Sequence, residues 1–246
     1  MFFFKHYFSF IFLVLILSFF SCKNLKNEDN DYTKEIEVIR FEKLFFEYDF
    51  DSISSLKKKF PYLFPKQFST NDWMSIYKDT LRRDIFNKSN QVFKNFNPYK
   101  IEISKNIKEI QHEFGDFYIP KIITINNGID YNYNIVKSDS LLLVSTDCYL
   151  GDNIHYKSIP NYISMKMNVD YFVKDITESF LLDFIKYPVD RRFISKIIYH
   201  GKLIYSMNKI TDFNLEQIIG ISQENLNWLT ENEDEIWEYF VKNNLI

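Results

Sequence analysis

The sequence predicts an α+β fold, a mainly helical single domain built around a small sheet of mixed or antiparallel order. Apolar residues recur at helical spacing in two stretches, one ending at Phe114 and one running from Tyr171 to Asn244. Short β-branched runs cluster between Pro120 and Asp147, and no internal repeat or low-complexity block divides the chain. With 246 residues, 46% hydrophobic and 26% charged, there is material for one sizeable core.

The first element stands apart from that domain. Lys5 and His6 precede an apolar run from Tyr7 to Phe20 broken only by Ser9 and Ser18, and Ser21-Cys22 and a polar stretch to Lys34 follow. This is the order of a bacterial export signal. The run is shorter than the ~20 residues that span a bilayer comfortably. A cysteine placed directly after a small residue at the end of such a run is where lipoprotein signal peptidase cuts, and Phe19-Phe20-Ser21-Cys22 is a loose form of that lipobox. Residues 1–21 are therefore expected to be a lipoprotein signal peptide and Cys22 to be lipidated. Each buried CH₂ contributes about 0.8 kcal/mol, so several acyl chains hold a protein to a membrane durably. Residues 22–34, acidic from Glu28 to Asp31, are expected to form a flexible tether, and residues 35–246 the globular domain. Cys148 is the other cysteine, so no intrachain disulfide is possible after lipidation, and it reads as a small buried hydrophobe.

Within the domain, Ile36 to Phe41 alternates well enough for a short strand. Asp51 or Ser52 caps a small helix that ends where Pro61 and Pro65 fence an aromatic turn. Ser69 or Thr70 opens a helical stretch carrying Trp73, Leu81, Val92 and Phe96, which Pro98 is expected to close. Ile103, Ile107, Ile110 and Phe114 stripe the next helix up to Gly115. Strands are expected at Lys121–Ile125, around Tyr131 to Val136, and from Asp139 to Thr146, with a loop at Leu150 to Asn153. Helices then run Tyr171 to Ile185, Arg191 to Met207, Ser222 to Leu229 and Thr230 to Asn244, the last with Thr230 and Glu233 at capping-box spacing.

Composition and motifs exclude more chemistry than they suggest. Thirty Lys+Arg against thirty-three Asp+Glu give a net charge of −3, so there is no electrostatic footprint for nucleic acid. The five glycines stand alone, which removes the phosphate-cradling loops of common nucleotide sites. The chain has no alanine and 26 phenylalanines, a bias that belongs to the gene as much as to the fold, so its aromatic content is not a binding signal. His112, His155 and His200 are widely spaced, and no helix presents the paired imidazoles of an HExxH zinc site. No GxSxG elbow is present, and the acidic run Glu231, Glu233, Asp234 and Glu235 reads as a solvated helix start favoured by the helix dipole. The chain is expected to be non-catalytic and to need no cofactor.

Taken in order, Cys22, the run Ile39 to Phe45, Phe60-Pro61-Tyr62-Leu63-Phe64-Pro65, Asp139 to Leu143, Asp147-Cys148-Tyr149-Leu150-Gly151, Arg192-Phe193, Ile198 to Tyr205, Asn227-Trp228 and Ile236 to Phe240 resemble the gliding motility-associated lipoprotein family GldB. That resemblance implies a cell-envelope protein, anchored at the outer membrane or the periplasmic face of the inner one. Its partners would be the membrane itself and envelope proteins of the gliding and secretion machinery. More distantly the chain resembles zinc-peptidase-like domains, a degenerate zincin-like scaffold. In that register Asp175-Ile176-Thr177-Glu178-Ser179 stands where HExxH would be, and Asp175, Ser179 and His200 occupy the zinc-ligand positions without rebuilding the site. The ordinary alternative is that Phe172, Ile176, Phe180 and Phe184 or Ile185 are simply a buried stripe. Two other functions are carried forward: a zinc-dependent peptidase, and a carbohydrate- or peptidoglycan-binding lipoprotein using exposed Trp73, Trp228 or Trp237.

Overall fold

A computed structural model describes residues 36–49, 53–151 and 154–245. The expected signal peptide, Cys22, the tether and the Asp51 or Ser52 cap lie outside these residues. Among the described residues four short strands form one mixed sheet in the order β1-β2-β4-β3. Strands β1 (Val38–Arg40), β2 (Lys121–Ile125) and β4 (Leu141–Ser145) are parallel, with Val38 opposite Ile122 and Ile122 opposite Leu142. Strand β3 (Ile135–Lys137) pairs antiparallel with β4 and forms the free edge.

Period-two alternation sorts the strand residues between two cores. Ile122, Leu142 and Val144 face a cluster containing Ile103, Ile107, Ile110, Phe172, Ile176 and Phe180. Ile123 faces the other way, onto Phe41, Phe45, Phe46, Phe60, Phe64 and Phe86, with Ile39, Ile125 and Leu143 packed beside them. Because helices cover both faces, β2 and β4 read as nearly continuous apolar runs. Each fully buried Ile or Leu among them contributes roughly 1.5–3 kcal/mol.

The connection from β1 to β2 carries α1 (Phe41–Phe46), α2 (Ile53–Lys59), α3 (Thr70–Lys78), α4 (Thr80–Val92) and α5 (Asn97–Phe114). After β4 come α6 (Asn161–Ser164), α7 (Phe172–Leu181), α8 (Phe193–Ile210), α9 (Leu215–Ile219), α10 (Gln223–Glu231) and α11 (Glu233–Lys242).

Several boundaries correct the sequence-based expectations. The stretch from Ser69 is two helices, because Asp79 leaves the helical region (ψ 120°) and caps α4 by accepting from the Arg82 N–H. Pro98 opens α5 instead of closing its predecessor, since a proline in the first turn has no intrahelical N–H to lose. Residues Tyr131–Tyr133 form a 3₁₀ turn, so β3 starts only at Ile135. Thr230 lies inside α10 and donates its hydroxyl to the Leu226 carbonyl (3.0 Å), and α11 starts after Asn232 with no side-chain cap. Helix α7 ends at Leu181, α8 runs on to Ile210, and the short α9, capped by Asn214, was not anticipated. Cys148 is buried and free, and burial pushes its thiol pKa up, as befits a small core hydrophobe.

Candidate functional site

Helix α7 forms because Phe172, Val173, Ile176, Phe180 and Leu181 give it one apolar face, buried against α5 and the sheet. A 3₁₀ turn, Val169–Tyr171, feeds it, with the Asn168 side chain accepting from the Asp170 N–H. Its opposite face carries Lys174, Asp175, Glu178 and Ser179. These side chains form one wall of a cleft of about 820 Å³, and β3 forms the other.

The edge of β3 has a defined polarity. The Ser145 N–H donates to the Asn134 carbonyl and the Ser138 N–H to the Leu141 carbonyl, so residues 134, 136 and 138 direct their backbone groups at β4. By that alternation Ile135 and Lys137 turn theirs outward. The Ile135 N–H is met by its neighbour's Asn134 Oδ1 at 3.0 Å. The Lys137 ammonium reaches the Ser179 carbonyl (3.0 Å), pairs with Asp183 and stands 4.8 Å from the Phe180 ring centroid, fastening β3 to α7. Phe117, Tyr118 and Phe184 supply apolar surface at one end of the cleft.

Polar groups in the cleft are mutually engaged. Asp175 Oδ2 accepts from the Tyr149 hydroxyl (2.9 Å) and from Asn134 Nδ2 (3.4 Å), and Oδ1 accepts from Lys174 (3.3 Å). Lys174 also pairs with Glu178, one helical turn along. Burial pushes the Asp175 carboxyl above its ordinary pKa, against the pull of Lys174 and Tyr149. Burial works against the charge on Lys174, but Glu178 and Asp175 prevail and hold its pKa up. Tyr149 is buried and its phenol is driven far upward by desolvation, then by the Asp175 charge.

A raised folded-state carboxyl binds its proton more readily than in the unfolded chain. Its stabilisation is therefore fully present below the unfolded pKa, near 3.9, and is lost as pH rises through the folded value. Urea unfolding of the native chain and Asp175→Asn, measured between about pH 4 and pH 7, is expected to show the stability difference moving in the variant's favour as pH rises. A difference that stays flat, or moves the other way, contradicts this reading of Asp175.

Of the three degenerate ligand positions, Asp175 and Ser179 line this cleft. His200 is exposed on α8 and lines a separate pocket of about 350 Å³ with Lys166 and residues of α7, α8 and α9. Lys174 and Glu178 border both spaces. The donor set does not suit zinc: Asp175 is held by Tyr149, Asn134 and Lys174, and the Ser179 hydroxyl donates to the Ile176 carbonyl (2.6 Å). Among the described residues no group of three His, Cys, Asp or Glu side chains is placed to hold a metal. Trp228 and Trp237 are exposed on α10 and α11, while Trp73 is half-buried in the Phe45 and Phe64 cluster.

Sequence reasoning missed Asn134, Lys137, Tyr149 and Lys174. Only the Lys174 and Glu178 spacing was a readable signal; the rest meet across 15 to 46 residues of chain.

The family model described as Gliding motility protein GldB matches residues 22–246 and so begins at Cys22. No curated protein and no solved structure gives a match, and the likeness to zinc peptidases gains no support from one. The family's label is that of a lipoprotein, and among the described residues no helix is long and apolar enough to cross a membrane. A match over this span means that the chain belongs to the family of the gliding motility protein GldB, whose role is in gliding motility.

Proposed function

We propose that this protein is a lipid-anchored, non-catalytic component of the cell envelope that supports gliding, and the protein secretion coupled to it, by binding a partner protein. The contact surface is the β3–α7 cleft, and the partner enters it as an extended segment. The observation that carries this reading is the outward-facing backbone of Ile135 and Lys137 along one wall of the cleft. An unpaired edge is a template for strand addition: main-chain hydrogen bonds supply affinity, and the wall residues supply selectivity. The cleft's carboxylates and ammonium groups are tied to one another, an arrangement that serves a fixed binding surface better than proton transfer. The export signal and Cys22 support attachment through acyl chains, with Cys22 to Lys34 as the tether.

A photo-crosslinking amino acid at Leu182, which is 45% exposed on the cleft wall, is expected to capture a discrete envelope protein in native membranes. Lys137→Ala removes the side-chain fastening alone and Lys137→Pro also removes an outward N–H worth about 1 kcal/mol, so capture by Lys137→Pro should fall about five-fold below that by Lys137→Ala, with the circular dichroism of both unchanged. Capture that is absent, or indifferent to the edge, removes the cleft from the reading. Metabolic labelling with a fatty-acid analogue tests the anchor, and Cys22→Ser is expected to abolish incorporation; label retained at the native level would refute lipidation at Cys22.

A further inference from the structure

On the opposite face of the sheet, at the carboxyl ends of parallel strands β1 and β2, lies a second cavity of about 880 Å³. Ligands of parallel sheets favour that position. Its walls are aromatic, with Phe45, Phe46, Tyr62, Phe68 and Trp73 around it. Trp73 is the central ring, 6.0 Å from Phe45 and 5.5 Å from Phe68 between centroids. A volume of this size, mostly apolar with a few polar groups at one side, is the usual form of a small-molecule site.

Among the described residues, the buried side-chain polar atoms left unmet at this cavity are donors. Among the described residues the Arg82 guanidinium forms no ion pair, and it lies against Gly128, where an added Cβ would stand 3.1 Å from Nη1. Asn126 Oδ1 lies 3.0 Å from the Thr146 hydroxyl, and its Nδ2 is buried without a partner among the described residues. Trp73 Nε1 is likewise buried and unpartnered. Buried donors left unpaired are costly and rare enough to require an explanation. Of the lining carboxylates, Glu42 is engaged by Arg40 and Thr124, and Asp130 accepts from the Asn132 N–H through Oδ1. A cation therefore stands beside apolar rings, with two buried N–H donors close by.

We infer that this cavity binds a small monocarboxylate with an apolar body, its carboxylate received by Arg82 and its body seated among the rings around Trp73. A planar guanidinium matches a carboxylate bidentately, and such charge-assisted bonds are roughly twice as strong as neutral ones. The same chemistry is offered by a free aliphatic or aromatic acid and by the carboxyl terminus of a peptide ending in an apolar residue.

The chain has three tryptophans, so Trp228→Phe with Trp237→Phe leaves Trp73 as the reporter in the full-length protein, held in lipid nanodiscs. Titration with 3-phenylpropionate is expected to change Trp73 emission saturably, with 3-phenylpropionamide at least about tenfold weaker. Arg82→Gln should weaken the acid by a similar factor and leave the amide unchanged, and Arg82→Lys should recover part of the loss. Octanoate and N-acetyl-Gly-Phe with a free carboxyl form the other arms. Tighter binding of octanoate assigns a free acid, and tighter binding of the peptide assigns a chain terminus. No saturable change with any acid, equal binding of acid and amide, or indifference to Arg82→Gln overturns the inference.

Discussion

Replacing Asp147 with alanine is expected to lower the stability of the domain by about 3–5 kcal/mol, one of the largest effects available from a single polar side chain. Asp147 is wholly buried, and its carboxylate gathers a turn: Oδ1 accepts from the Asn127 N–H (3.2 Å), and Oδ2 from those of Gly128 (2.8 Å) and Ile129 (2.9 Å). Two of these residues have positive φ, Gly128 at 86° and Ile129 at 63°. The left-handed region is open to glycine but unfavourable for a β-branched residue, so the carboxylate is what holds Ile129 there. Alanine leaves three N–H groups without their acceptor and frees the turn. For a domain of this size the melting temperature should fall on the order of 10 °C. Asp147→Asn keeps one acceptor oxygen and is expected to lose about half as much. A loss below about 1 kcal/mol for alanine would show that the turn is held by other contacts.

The second large effect is expected from Phe172→Ala, at about 3–5 kcal/mol. The ring is fully buried and meets Phe93 (4.7 Å between centroids), Tyr149 (5.3 Å), Tyr99 (5.6 Å) and Phe96 (5.7 Å). Deleting it removes dispersion contacts on four sides and opens a cavity whose walls belong to different elements and cannot all collapse inward. Phe172→Leu should cost less, because most of the volume is kept. Equilibrium unfolding in urea measures both, and near-equal values for the two variants would mean that the site relaxes. The substitution also reaches the cleft, since Tyr149 packs on Phe172 and donates to Asp175. The pH dependence described for Asp175 should therefore be altered in Phe172→Ala and retained in a variant of equal stability made in the other core, such as Phe60→Ala.

The legible parts of this chain are those set by neighbours in sequence. Apolar spacing announced α5 through Ile103, Ile107 and Ile110, all of which are buried. The runs Lys121–Ile125 and Leu141–Ser145 are strands as expected. Where a boundary moved, a local competitor was responsible: Asp79 offered a cap in mid-stretch, and Pro98 began a helix as readily as it could have ended one. Thr230 and Glu233 had the right spacing for a capping box, but the Thr230 hydroxyl found the Leu226 carbonyl inside α10 instead. The candidate site was legible only as positions on one helix, Asp175 and Ser179, and the groups that engage Asp175 include Tyr149 and Asn134 from elsewhere in the chain.

By itself the sequence determined the type of the longer elements, the α+β class, the expectation of an exported and acylated N-terminus, and a core rich in phenylalanine and isoleucine. These follow from residue periodicity, from the polarity of a single continuous segment and from composition, none of which needs a distant partner. Only the tertiary structure decided that three strands run parallel with β3 antiparallel at the edge, that Asp175 meets Tyr149, and that Arg82, Asn126 and Trp73 share one cavity. Register, edge exposure and the pairing of buried polar groups depend on contacts between segments far apart in the chain. Such contacts are selected by the joint packing of both faces of the sheet, and no local pattern carries that information.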